Sequence, residues 1–294
     1  MKTNIIVVFL TLLVSIHAEI ANPKPNSVPA LTQSLKIEQD SVGKALQSTF
    51  IWTDLPKGKQ GVAVGFRKTF DLKTKPASAI LHLFADARYI LWVNGSYVDR
   101  GPARFQPNGP EYDSIDIEKF LSSGKNAVTL LIVDNLSGGK VMRHELGLSA
   151  TLEIDGKPFS VTDDSWRWSD GTRFRSIGAG WANLGETEVD ARVEDGDWTQ
   201  VGYNDAAWKK AISISSESWG PLTARRIPML REVPVPFHLP IGMTFPVTLK
   251  AGEKLDFITD RIVQAYPIIS FEATAGTELT IDPFGFHYIA KEGK

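Results

Sequence analysis

Two dipeptides, Asn94-Gly95 and Asp155-Gly156, each interrupt a run of β-branched, aromatic or leucine residues. Tight primed turns need positive φ at both central positions, and Asn-Gly and Asp-Gly accept it most readily. Each pair therefore marks a β-hairpin, one joining Tyr89–Val93 to Tyr97 and Val98, the other joining Leu148–Ile154 to Pro158–Thr162. Gly65–Leu72, Ala79–Ala85 and Ala127–Asp134 (AVTLLIVD) add further strand-like runs. Only Ile117–Leu121 and Asn204–Ala211 read as helical, and both are short. Strands this short, punctuated by turns, predict an all-β chain of sandwich or jelly-roll type and leave no room for βαβ units.

Composition limits the function classes. The 294 residues carry a net charge of −2, which argues against nucleic acid or an acidic membrane surface as the main partner. Residues 1–18 have a short basic start and the apolar run Ile5–Ile16, with Ala18 where a signal peptidase would cut. This reads as a signal peptide, too short for a membrane span, so the protein is expected to be secreted or periplasmic. Without cysteine there are no disulfides, thiol nucleophiles or zinc-thiolate sites. Residues 19–45 read as a linker or N-terminal arm, 46–145 as a first jelly-roll sandwich and 146–218 as a second sandwich segment. The stretch 219–240 has five prolines and reads as a connector. Residues 241–294 read as the start of a further β domain, with strands expected at Thr244–Leu249, Lys254–Ile258, Ile268–Ala273 and Glu278–Ile281.

Several chemistries find no support. His82, His144, His238 and His287 are scattered without metal-ligand spacing. The stretch GAGWANLG (178–185) lacks the spacing of a dinucleotide loop, and no Gly-x-Ser-x-Gly elbow occurs. Glu186, Glu188, Asp190 and Glu194 could supply a carboxylate pair for glycoside hydrolysis, but Arg192 beside them predicts a structural ion pair through Asp190 or Glu188. No cofactor is expected; Asp195 and Asp197 are the one place where calcium could be held. Sugar binding fits better. Trp92, Trp168, Trp181, Trp198, Trp208 and Trp219 offer stacking faces, with Trp181 in its glycine-rich loop expected to be the most exposed. Arg100, Arg104, Tyr112, Asp113 and Trp181 are the sugar-binding candidates; no catalytic and no metal residue is assigned. Arg104 is also expected to pair with Asp113 or Asp116 across the Gly101-Pro102 turn.

The segments FRKTFDL, ADARYILWVNGSYVDRGPARFQP and YDSIDIEKFLSSGKNAV resemble the non-catalytic β-sandwich region of bacterial α-L-rhamnosidase-type glycoside hydrolases. The likeness resumes at TDDSWRW, GETEVDAR, DWTQVGYNDAAWKKA, WGPLTARRIPMLRE and LDFITDRIVQAYPIISFEATAGTELTI. It implies tandem galactose-binding-like jelly rolls that bind or position rhamnose-containing glycan. In that family the reaction belongs to a following six-hairpin barrel, which is expected to lie outside these residues, so no catalytic residue carries over. TDRIVQAY departs from many relatives in having Gln264-Ala265 where they carry glycine. Two alternatives stay open: the jelly-roll start of another glycoside hydrolase of β-galactosidase type, and a docking module without a sugar site.

Overall fold

The computed structural model of the chain describes residues 38–56, 61–106, 108–134, 145–179, 185–262, 271–281 and 286–291. The signal segment and most of the N-terminal arm lie outside them. The described chain opens with a helix, α1 (Ser41–Gln47), across the boundary expected at residue 45 between linker and first sandwich. Asp40 caps it, its Oδ1 accepting from the Gly43 amide at 2.7 Å.

Strands then follow in the order β1 (Ile51–Trp52), β2 (Ala63–Leu72), β3 (Ala79–Asp86), β4 (Arg88–Val93), β5 (Ser96–Gly101) and β6 (Glu111–Asp116). Next come β7 (Gly124–Val133), β8 (Gly147–Ile154), β9 (Lys157–Val161), β10 (Arg167–Ser169), β11 (Phe174–Ala179) and β12 (Gly185–Asp190). The last are β13 (Lys209–Lys210), β14 (Ile212–Ser213), β15 (Thr223–Ala224), β16 (Glu278–Ile281) and β17 (Phe286–Ile289). The described chain is all-β apart from α1 and a 3₁₀ turn at Glu118–Phe120, where a short helix was expected. Asn204–Ala211 is not helical; it forms bends that lead into β13. Both hairpin turns form as the sequence demands, with φ of 52° and 81° at Asn94-Gly95 and 49° and 72° at Asp155-Gly156.

One sheet runs β14-β1-β8-β3-β6-β15, with β9 added on β8; the other runs β13-β10-β2-β7-β4-β5. Strands from 46–145 and from 146–218 share these two sheets, since β8 inserts between β1 and β3 and β10 pairs with β2. Val64 and Phe66 of β2, Leu81 and Leu83 of β3, and Leu130 and Ile132 of β7 belong to the main core. The opposite face of β2 and β7 is buried as well. Ala63, Leu131 and Val133 lie beneath Trp198 and Trp208, which explains why Leu130–Val133 is apolar without a break. Arg67, fully buried, clamps that cover: its guanidinium meets Asp205 at 3.0 Å and donates to the Trp198 and Val201 carbonyls. The other sheet is covered by α1 and Trp219, packed with Phe50, Phe84 and Tyr112.

A third, four-stranded sheet, β11-β12-β17-β16, joins 174–190 to the far C-terminal hairpin. The strands expected at Thr244–Leu249 and Lys254–Ile258 do not form; that stretch has one isolated bridge, His238 to Ile258. Of the stretch expected at Ile268–Ala273, residues 268–270 lie outside the described residues and Phe271–Ala273 belongs to no strand.

Candidate functional site

The β4–β5 hairpin delivers its chain to the Gly101-Pro102 turn, and that turn rests on a buried polar triad. Tyr89 and Asp113, on different sheets, meet at 2.5 Å, the phenol donating to the carboxylate. Arg225 completes the triad, donating Nη1 to Asp113 at 2.9 Å and further groups to the Ile227 and Pro228 carbonyls. Burial, then the Asp113 charge, push the Tyr89 phenol far above its ordinary range, so it remains a donor. Gly101 lies flat on this triad. A Cβ there would come within 2.6 Å of the Tyr89 ring and 2.7 Å of the Asp113 carboxylate.

The expected Arg104–Asp113 pairing is therefore replaced. β15 pairs in parallel with β6, setting Thr223 opposite Glu111 and Ala224 opposite Tyr112, and this carries Arg225 to Asp113. Asp116 instead accepts from the Glu118 amide. Nothing local in the sequence ties Arg225 to a residue 112 positions earlier.

The nominated sugar-binding residues separate into distinct surroundings. Tyr112 and Asp113 are buried, and the Tyr112 hydroxyl donates to Asp40 at 2.7 Å. Arg100 lies over the Tyr97 ring, donates to the Tyr97 hydroxyl at 3.0 Å and approaches Glu232 at 3.6 Å. Arg104 is exposed. Trp181 lies outside the described residues. Tyr97, Tyr89, Arg225 and Glu232 shape this region without having been singled out in the sequence.

The acidic residues near β12 are engaged in pairs. Arg192 holds Asp190 at 2.9 Å, and that hydrogen bond leads the effects lowering the Asp190 carboxyl to about 2. Glu188 meets His287 at 2.9 Å and Arg175 at 3.5 Å. Asp195 is bound by Arg173 at 2.6 Å, while Asp197 accepts from Thr199 and Gln200. These bonds leave the pair poorly suited to calcium, which needs their oxygens free. Among the described residues no group of three or more acidic or histidine side chains is placed to hold a metal ion. Between the sheets, beside Lys68 and Trp166, lies a cavity of about 10 Å³, room for one water and far too small for a sugar ring. No described helix is long and apolar enough to cross a membrane.

Comparison with known proteins converges on one family. The model of the α-L-rhamnosidase N-terminal domain matches residues 74–233. An α-L-rhamnosidase of Formosa agariphila is 24% identical over 192 residues, covering 57% of this chain and 19% of that protein. Among solved structures, the GH78 family rhamnosidase of Bacillus sp. GL1 is 32% identical with a TM-score of 0.57, covering 62% of this chain and 20% of its own. The α-L-rhamnosidase of Dictyoglumus thermophilum covers more, 84% of this chain and 32% of its own, at a TM-score of 0.61; at 17% identity that likeness concerns the fold alone. The chain thus spans about a fifth of the length of the curated relative it matches.

Proposed function

The chain belongs to the α-L-rhamnosidase N-terminal domain family, and from that membership we propose that it is an exported accessory region of such a hydrolase, positioning rhamnose-containing glycan without cleaving it. The observation that carries the reading is the engagement of the acids. Hydrolysis needs two carboxyl groups facing each other across a bound sugar, and the nearest candidates, Glu188 and Asp190, are paired with His287, Arg175 and Arg192. Glycan contact would fall to exposed groups at loop ends, such as Arg104.

Two measurements test this. The purified 19–294 chain is expected to release nothing from an aryl rhamnoside and to be retarded in gels containing a rhamnose-containing polysaccharide. Hydrolysis, or unretarded migration, would overturn it. Amino-terminal sequencing of the exported protein should begin at Glu19.

A second reading, a docking module, is favoured by one observation. Between Ile227 and Ile262 lie eleven exposed large apolar residues, among them Leu230, Phe245 and Ile262. Large apolar side chains left exposed in such number favour an interaction face. Docking without retardation by any rhamnose polymer would favour this reading over the first.

A further inference from the structure

The geometry points to an oxyanion site formed by Arg88 and Arg104, where the sandwich end would receive an acidic group, carboxylate or sulfate ester, carried by a rhamnose-containing glycan. It rests on the glycan-positioning reading and names the substrate class of that surface.

Strand register brings the two arginines to one place. Tyr89 pairs with Gly101, so Arg88, one residue before Tyr89, begins β4 beside the Gly101-Pro102-Ala103-Arg104 segment leaving β5. That segment is held at both ends. Gly101 packs on Tyr89 and Asp113, and Phe105 sets its ring against Phe84 at 5.1 Å, edge to face. Arg104 thus projects from a short, anchored stretch rather than a loose one.

Both arginines are exposed, and neither makes a hydrogen bond or ion pair among the described residues. Several other described arginines behave differently. Arg67, Arg100, Arg173, Arg175, Arg192, Arg225 and Arg226 each meet a carboxylate. Arg167 donates to the Trp208 carbonyl. Partial desolvation and then the like charge of Arg104 lower the Arg88 guanidinium, with no described carboxylate offsetting them. Carboxylates at this end have other partners: Asp113 has Tyr89 and Arg225, Asp86 accepts from the Trp219 indole, and Asp134 accepts from the Gly61 amide. Two like charges held side by side repel, and an oxyanion between them converts that repulsion into paired charge-assisted hydrogen bonds. Guanidinium forks match carboxylate and sulfate geometry in this way.

The test uses the 19–294 chain and two matched probe pairs, with affinity read by titration calorimetry. One pair is a polymer of alternating rhamnose and galacturonate and its carboxyl-reduced form. The other is a sulfated rhamnose polymer and its desulfated form. In at least one pair the acidic form should bind about tenfold tighter than the neutral one, and whichever pair shows the gap identifies the oxyanion. Arg88→Gln with Arg104→Gln should close the gap, Arg104→Lys should keep part of it, and added salt should narrow it. Arg226→Gln, on an exposed arginine already paired with Glu111, should leave it unchanged. Equal binding of acidic and neutral forms, or a gap that survives the double substitution in a folded protein, would overturn the site while sparing the glycan-positioning reading. Absence of binding to all four polymers would overturn both.

Discussion

In β7, Leu130 and Ile132 face the main core, Leu131 and Val133 face the tryptophan cover, and all four are buried. From Val233 to Leu249 every second residue is also apolar, yet Ile241 is fully exposed and Phe245 is 59% exposed. The two stretches differ in their neighbours. β7 has β2 on one edge and β4 on the other, with ten residues in unbroken register against β2. The later stretch places prolines at 234, 236, 240 and 246, each removing an amide donor, and forms a single bridge. Alternation thus specifies a face, while burial requires a partner strand and a cover. The sandwich has both within the chain; residues 227–262 present their apolar side chains outward.

If stability resides in the covered sandwich, the largest loss should come from removing what pins a cover down. Arg67→Ala strands Asp205 and two backbone carbonyls beneath Trp198 and Trp208, and should cost about 3–5 kcal/mol in urea unfolding. A loss below 1 kcal/mol would mean the cover is held by its aromatic rings alone. Gly101→Ala forces a methyl group into the Tyr89 ring and the Asp113 carboxylate, for an expected cost of roughly 1–3 kcal/mol by the same measurement. Asp40→Ala removes the α1 cap and the partner of Tyr112, and should cost about 1 kcal/mol.

How far these features could be read in advance depends on their range. The turns at Asn94-Gly95 and Asp155-Gly156 were legible because two adjacent residues fix the backbone conformation. The Asp190–Arg192 pair was legible because its partners are two residues apart. The α1 helix escaped notice since its seven residues carry little periodicity, and its position depends on the Asp40–Tyr112 contact. Asn204–Ala211 looked helical by composition, yet burying Trp208 and delivering Asp205 to Arg67 decide its path. Sharing of two sheets by 46–145 and 146–218 depends on β8 and β10 pairing with much earlier strands, which no local pattern encodes. The site suffered most. Asp113 was nominated for a ligand or for Arg104, and only the parallel β6–β15 pairing reveals Arg225 as its partner.

The third sheet offers a smaller, pH-dependent contrast. Asp190 is held at about 2 by Arg192, below its ordinary 3.8. A carboxyl depressed in the folded state favours folding above its unfolded value, and that contribution fades as pH falls from about 4 towards 2. Arg192 is half exposed, so solvent screens the pair and the effect should be modest. Acid unfolding followed by fluorescence should show a slightly shallower limb over that interval in Arg192→Gln, and an unchanged limb would assign the acid sensitivity elsewhere.

The smallest effect is expected where the comparison began. Phe245→Ser removes an aromatic ring that lies 59% exposed and touches Phe237 at 6.3 Å, edge to face. Little water is released from that ring on folding, so little transfer energy is lost with it, and the urea midpoint should move by no more than about 0.5 kcal/mol in equivalent free energy. The opposite sign of response is expected in a different readout. Binding of an apolar dye should fall, because the ring contributes to an outward apolar surface rather than a core. A large stability loss would show that residues 227–262 share the cooperative unit of the sandwich, and would reduce the difference between the two alternating stretches to one of exposure alone.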